Sequence, residues 1–171
     1  MLYVVGTARG VTYLDNITYV VCAGSSTIHL YKTDTQSPLS VAINIDGMKD
    51  PLDIVVCRDD RQLYIAEPDC IWRVAVDDQS YVKWLTTTES SDCYSLSLMS
   101  RRLLVTSVHL GLHQYNTADR QCLRVVSLPQ YMSELYHGIE TARGTFVVGH
   151  WGTLQHTLQY AVSELFSFAN F

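Results

Sequence analysis

The sequence predicts an all-β fold assembled from repeated four-stranded antiparallel units. Three observations predict it: a repeat of about 43 residues, short dense apolar strands within each repeat, and turn-forming residues between the strands. Four segments begin with a small or turn-forming residue followed by an aliphatic one: Gly10-Val11, Asp53-Ile54, Ser95-Leu96 and Gly138-Ile139. Their aliphatic members lie 43, 42 and 43 residues apart.

Each segment opens a first strand, which a turn follows: Asp15-Asn16, Arg58-Asp59-Asp60-Arg61, Ser100-Arg101-Arg102 and Ala142-Arg143-Gly144. A dense apolar second strand comes next: Tyr19-Val20-Val21, Leu63-Tyr64-Ile65, Leu103-Leu104-Val105 and Phe146-Val147-Val148. The third strand is Ile28-His29-Leu30-Tyr31, then Ile71-Trp72-Arg73-Val74, Leu112-His113-Gln114-Tyr115 and Leu154-Gln155-His156. Its first two copies partly alternate apolar and polar residues, as half-buried strands do. Polar turns at Asp34, Asp77-Asp78 and Asn116 come next, where Asp and Asn side chains can satisfy local backbone groups. A fourth strand closes the first three units, over 40–45, 81–85 and 123–127.

Four short strands in a unit of this length is the arithmetic of a β-propeller blade. Helical repeats would instead show apolar residues at three- and four-residue spacing, and the first three units lack them. The expected units are 9–50, 51–92, 93–135 and 136–171 in one domain. The fourth is degenerate, because 157–171 has no clear turn before its last strand. Residues 2–5 read as the outer strand of a preceding blade.

The second unit carries a family resemblance. Pro51-Leu52-Asp53-Ile54-Val55-Val56, then Gln62-Leu63-Tyr64-Ile65-Ala66-Glu67, then Cys70-Ile71-Trp72-Arg73-Val74, resembles an NHL repeat. The other units keep the strand pattern but have Cys22, Ser107 and Gly149 where the second has Glu67. A WD-repeat propeller is the alternative, suggested by Gly149-His150, although no Trp-Asp dipeptide ends a strand. The resemblance implies a six-bladed, TolB-like ring of about 250 residues. On that reading the chain is an incomplete arc of a larger propeller, with open sheet edges through which it could self-associate.

The bulk numbers narrow the function classes. Apolar residues make up 47% and charged residues 17%, which fits a packed domain that buries about 70% of its unfolded surface. Eleven tyrosines suit strands. A net charge of −5 disfavours nucleic acid and anionic membrane as partners. The five cysteines form no C-x-x-C pair, so they read as small buried strand residues in a reducing, cytoplasmic setting. The apolar start is too short for a signal peptide, and no apolar run is long enough to span a bilayer.

In a propeller, the start of each innermost strand and the turn between strands two and three share one face around the channel. That face would gather Arg9, Tyr94 and His137 from the strand starts, and Glu67, Asp69, His109, His150 and Trp151 from the turns. Loops on a rigid scaffold commonly carry recognition, so these residues are the expected contact surface for a protein or peptide partner. No Gly-x-Ser-x-Gly elbow and no phosphate loop occurs, so no catalytic residue and no cofactor is assigned. The alternative is a metal-dependent hydrolase or lyase resembling six-bladed lactonases. It would use calcium or zinc, with His109, His137 and His150 converging. A second alternative is RNA binding through an arginine-rich rim at Arg58, Arg61, Arg101, Arg102 and Arg143 on the opposite face. His29, His113 and His156 read as outward-facing strand residues, and Trp72 and Trp84 as blade packing.

Overall fold

The structure is a computed structural model that describes residues 6–35, 37, 39, 41–86, 93–108, 111–126 and 133–151. Strands β1 (Ala8–Leu14), β2 (Ile17–Cys22), β3 (Thr27–Lys32) and β4 (Ile43–Asn44) form the first antiparallel sheet in sequential order. The second sheet is β5 (Asp53–Cys57), β6 (Gln62–Ala66), β7 (Cys70–Ala75) and β8 (Tyr81–Thr86). The third is β9 (Cys93–Met99), β10 (Arg102–Ser107), β11 (Gly111–Asn116) and β12 (Cys122–Val126). A hairpin of β13 (Ser133–Glu140) and β14 (Phe146–Trp151) begins the fourth. The first strands β1, β5, β9 and β13 are successive neighbours, so the sheets stand side by side as blades. The expectations for 2–5, His109, 154–156 and 157–171 lie outside the described residues.

Local turn chemistry closes the hairpins. Leu14 pairs with Ile17, leaving Asp15 and Asn16 as a two-residue turn with φ of 48° and 62°. Asp and Asn tolerate this left-handed conformation, and the turn's twist matches that of the strands. No helix among the described residues is long and apolar enough to cross a membrane.

The dense second strands are apolar because both of their faces are buried. In β6, Leu63 and Ile65 pack toward the first sheet with Leu14, Tyr19, Val21, Ile28 and Trp72. Tyr64 and Ala66 point the other way, into a seam with Trp84, Leu96, Leu103 and Val105. In β10, Leu104 faces the fourth sheet with Leu112, Val126, Leu135, Phe146 and Val148. Trp72 and Trp84 are both seam residues. Four of the five cysteines are buried, whereas Cys122 is exposed on the outermost strand of its sheet.

Three local expectations change. The fourth unit's register moves by one residue: Gly138, not Ile139, takes the place of Ile54 and Leu96. Gly138 pairs with Val148 and packs on Leu112 of the third sheet, while Ile139 is 43% exposed. Irregular pairing at Leu135 and His137 absorbs the shift. His113 does not point outward: its Nε2 is buried, and its ring stacks 6.4 Å from Tyr115. The reason is alternation, since Leu112 and Gln114 occupy the opposite face of β11. Trp151 ends strand β14 opposite Ser133 instead of sitting in a turn.

Gly10 marks a close approach between blades. A Cβ there would lie 2.7 Å from Ile54 N and 3.0 Å from Asp53 Cα, both backbone atoms. Gly10→Ala should therefore cost about 1–3 kcal/mol by forcing the first two sheets apart. Urea unfolding followed by tryptophan fluorescence measures this; an unchanged midpoint would show that the seam can shift freely.

Candidate functional site

The turn between β6 and β7 places Glu67, Pro68 and Asp69 beside residues 47–50, which link the first sheet to the second. Glu67 is almost fully buried, and its carboxylate ties three segments together. Its Oε1 accepts the backbone N–H groups of Lys49 at 2.6 Å and Asp50 at 2.8 Å. Its Oε2 accepts the Trp72 indole N–H at 2.6 Å and the Cys70 thiol at 3.6 Å. A buried carboxylate is tolerable only when its lone pairs are occupied in this way. Among the described units only the second has an indole at this strand position; His29 and His113 occupy it in the first and third units.

Above this tie lies an open pocket of about 310 Å³, lined by Gly47, Lys49, Asp50, Glu67, Pro68, Asp69 and Lys83. Its walls are pinned: Asp50 Oδ1 accepts the Gly24 N–H at 3.1 Å, and Lys83 Nζ sits 5.2 Å from the centre of the Trp72 ring. Glu67, Asp69 and Cys70 bring potential ligand atoms within 4.8 Å of one another. Their chemistry suits a metal poorly. Both Glu67 oxygens already accept hydrogen bonds, and burial pushes the Cys70 thiol up to about 12, so it stays protonated at neutral pH.

A second group of polar residues lies along the inner strands. Asp53 of β5 accepts the N–H of Leu96 in β9 at 2.8 Å, and its other oxygen accepts its own neighbour's N–H at Ile54. One blade further on, Ser95 Oγ and His137 Nδ1 are 2.7 Å apart. Gly10, Asp53 and Ser95 thus form a row in which each residue meets the following blade, and His137 holds the equivalent place in the fourth unit, where it meets Ser95. Sequence reasoning missed Asp53 and Ser95 because as single letters they resemble turn formers; their 42-residue spacing was the available signal. His137 is exposed at this surface. Arg9 and Tyr94 also fall near the starts of inner strands, in β1 and β9. His150 and Trp151 lie on β14, and His109 is outside the described residues.

Four of the five arginines of the opposite face, Arg58, Arg61, Arg101 and Arg102, are engaged between blades. Arg61 bonds Asp15 of the preceding blade and Asp77 of its own, which raises its pKa above the usual guanidinium value. Arg101 pairs with Asp60 at 2.9 Å and Arg102 with Glu140 at 3.1 Å. Arg58 lies 4.6 Å from the centre of the Tyr13 ring. Neighbouring carboxylates therefore offset much of the rim's positive charge. Arg143 uses its backbone N–H to bond Thr141 Oγ1.

No protein-family model matches the sequence, and no curated protein matches it. Solved structures do. The chain is similar to the computationally designed Ika4 protein, at 14% identity over 86% of this chain and 88% of that one, with a TM-score of 0.65. It is also similar to the RRP9 WD40 repeats, at 12% identity over 84% of this chain, and to hydrazine synthase of Kuenenia stuttgartiensis, at 15% over 86%. Both have TM-scores of 0.70. The chain folds as a β-propeller. It spans 45% of the length of each of the latter two chains. At these identities the likeness concerns the fold alone.

Two predictions test the site's chemistry. Glu67→Ala leaves the Lys49, Asp50 and Trp72 donors without their acceptor and should cost about 2–5 kcal/mol. Glu67→Gln should cost less, because its amide oxygen can still accept two of them. Denaturant unfolding ranks the variants, and equal midpoints for all three proteins would refute the tie. Asp53 gives a pH test. Burial raises its pKa, against the lowering effect of the Leu96 and Ile54 N–H groups and of His137. A carboxyl raised in the folded state contributes most stability below its unfolded value of about 3.9, and loses it as pH rises through the native value. The stability gap between wild type and Asp53→Ala should therefore be widest below about pH 3.9 and narrow toward neutrality. A gap that widens with pH reverses the sign.

Proposed function

We propose that this chain is a non-enzymatic binding scaffold that offers the face around its channel to a protein or peptide partner. The supporting observation is the composition of that face on a rigid frame. One seam holds an open pocket walled by Lys49, Asp50, Asp69 and Lys83, and the inner-strand row ends in an exposed His137. The equivalent positions differ from unit to unit, as a recognition surface requires and a purely structural repeat does not. Propellers serve many functions, so the fold supplies the frame and the side chains carry the argument.

The finer kinship follows the second unit, whose Pro51–Glu67 pattern supports an NHL-type, six-bladed parentage. Five free cysteines support a reducing, cytoplasmic setting. A metal held by Glu67, Asp69 and Cys70 would require Glu67 to release its donors, a metal on the histidines would draw on His137, whose Nδ1 bonds Ser95, and the RNA reading would require Arg61, Arg101 and Arg102 to leave their carboxylates.

Affinity capture with the wild-type chain, compared with His137→Ala and Trp151→Ala, tests the scaffold reading. A specific partner should be lost or weakened about tenfold in at least one variant. A partner held equally by all three proteins would remove this face from consideration.

A further inference from the structure

We infer that this chain pairs head to tail with a second copy of itself, the open face of its first sheet packing on the open face of the other copy's fourth sheet. This goes beyond the scaffold reading and does not rest on it.

Equivalent positions can be followed from blade to blade. On the inner strands Ile54 pairs with Ile65, Leu96 with Val105 and Gly138 with Val148. Each pair faces the preceding blade. Ile54 and Ile65 pack on the first sheet, Leu96 and Val105 on the second, and Gly138 and Val148 on the third. Val11, paired with Val20, holds the same place in the first unit. Gly10 faces the second blade, so alternation turns Val11 the other way. Ile54 and Leu96 are each 1% exposed, whereas Val11 is 64% exposed. Tyr13, two residues on, is exposed on the same face, although the Arg58 guanidinium lies against its ring. Farther out Val20, Cys22 and Tyr31 are buried, so the open part of this face is its inner strand. Its side chains are those of a seam.

The far end of the array carries the other half. Tyr19, Tyr64 and Leu104 are turned toward the following blade and are buried by it. Val147 is their equivalent in the fourth unit and is only half-buried, and its cross-strand partner Ile139 is exposed. Among the described residues no sheet precedes the first or follows the fourth. One chain thus carries both halves of one missing seam, at opposite ends. A second copy offers each end the face it lacks, in the orientation that the three existing seams already use. The inner row continues in the same sense: Gly10, Asp53 and Ser95 each meet the following blade, and His137 would meet the Gly10 strand of the second copy. A head-to-tail contact closes when its rotation completes a circle, and propeller blades turn about one axis. The chain spans less than half of the RRP9 WD40-repeat chain and of the hydrazine synthase chain. Two arcs therefore suit one ring and form two seams at once. The strands that meet are already folded, so apolar burial is gained at small ordering cost.

Size-exclusion chromatography with multi-angle light scattering tests this on the 171-residue chain. Between about 1 and about 100 µM the mass should reach about twice the 19.3 kDa of one chain. Val11→Asp and Ile139→Asp should each raise the concentration of half-dissociation about tenfold or more. Both side chains are exposed in the single chain, so unchanged circular dichroism is expected and separates lost pairing from lost folding. Mixing the two variants should recover a dimer, because the unaltered fourth sheet of one can meet the unaltered first sheet of the other. Leu123→Asp, exposed on β12 away from both ends, should behave as wild type. A monomer at every concentration overturns the proposal, as does an equal loss in Leu123→Asp. A dimer indifferent to Ile139→Asp joins like faces and overturns the head-to-tail arrangement, and so does a mixture that stays monomeric. Masses that keep growing with concentration show open chains of copies and overturn the closed pair.

Discussion

A strand that is apolar on both faces needs a neighbour on each side, and this constraint organises the whole chain. Tyr64 and Ile65 are adjacent in sequence, point to opposite faces of β6 and are both fully buried. The same holds for Leu103 and Leu104 in β10. No single sheet can satisfy such a pattern. Sheets must stack face to face, and the twist of each sheet turns the stack into an array of blades. Each buried aliphatic or aromatic side chain contributes about 1.5–3 kcal/mol, against about 0–1 for an exposed ion pair. The seams therefore hold the blades together, and among the rim pairs Arg102 differs in meeting the buried carboxylate of Glu140.

The polar residues become intelligible against those seams. Glu67 is buried because a Trp sits in the seam beneath it and the inter-blade link runs over it. Its carboxylate answers four donors, two backbone N–H groups, the indole and the Cys70 thiol. Asp53 and Ser95 sit where inner strands meet, and each bonds the next blade. Gly10 and Gly138 mark points where a neighbouring blade comes too close for a side chain. None of these residues needs a catalytic explanation. Lys49 and Lys83 share the pocket of the same region with Asp50, Glu67 and Asp69.

Much of the architecture was legible in the sequence and much of the site was not. The repeat of Val11, Ile54 and Leu96 fixed the blade period, and Asp15-Asn16 announced its hairpin turn. The fourth unit misled by one residue, because Gly138-Ile139 looks like Gly10-Val11 as letters while the irregular pairing near His137 shifts which of the two faces inward. Glu67 stood out as an acid unique to its unit, which reads equally well as a ligand or a tie. Choosing between them required knowing that Lys49, Asp50 and Trp72 come within hydrogen-bonding distance. The five rim arginines read as a basic patch because their partners Asp15 and Glu140 lie 46 and 38 residues away from Arg61 and Arg102.

By itself, then, the sequence determined the strand content, the period and the need for stacked sheets, since these follow from local alternation and turn chemistry along one strand at a time. The tertiary structure decided which polar residues are spent and which are free. That distinction depends on contacts between segments well separated in the chain, 18 residues for Glu67 and Lys49, 43 for Asp53 and Leu96 and 46 for Arg61 and Asp15, and such hydrogen bonds have no signature in the strand pattern of a repeat. Glu67, Asp53 and Arg61 became internal ties.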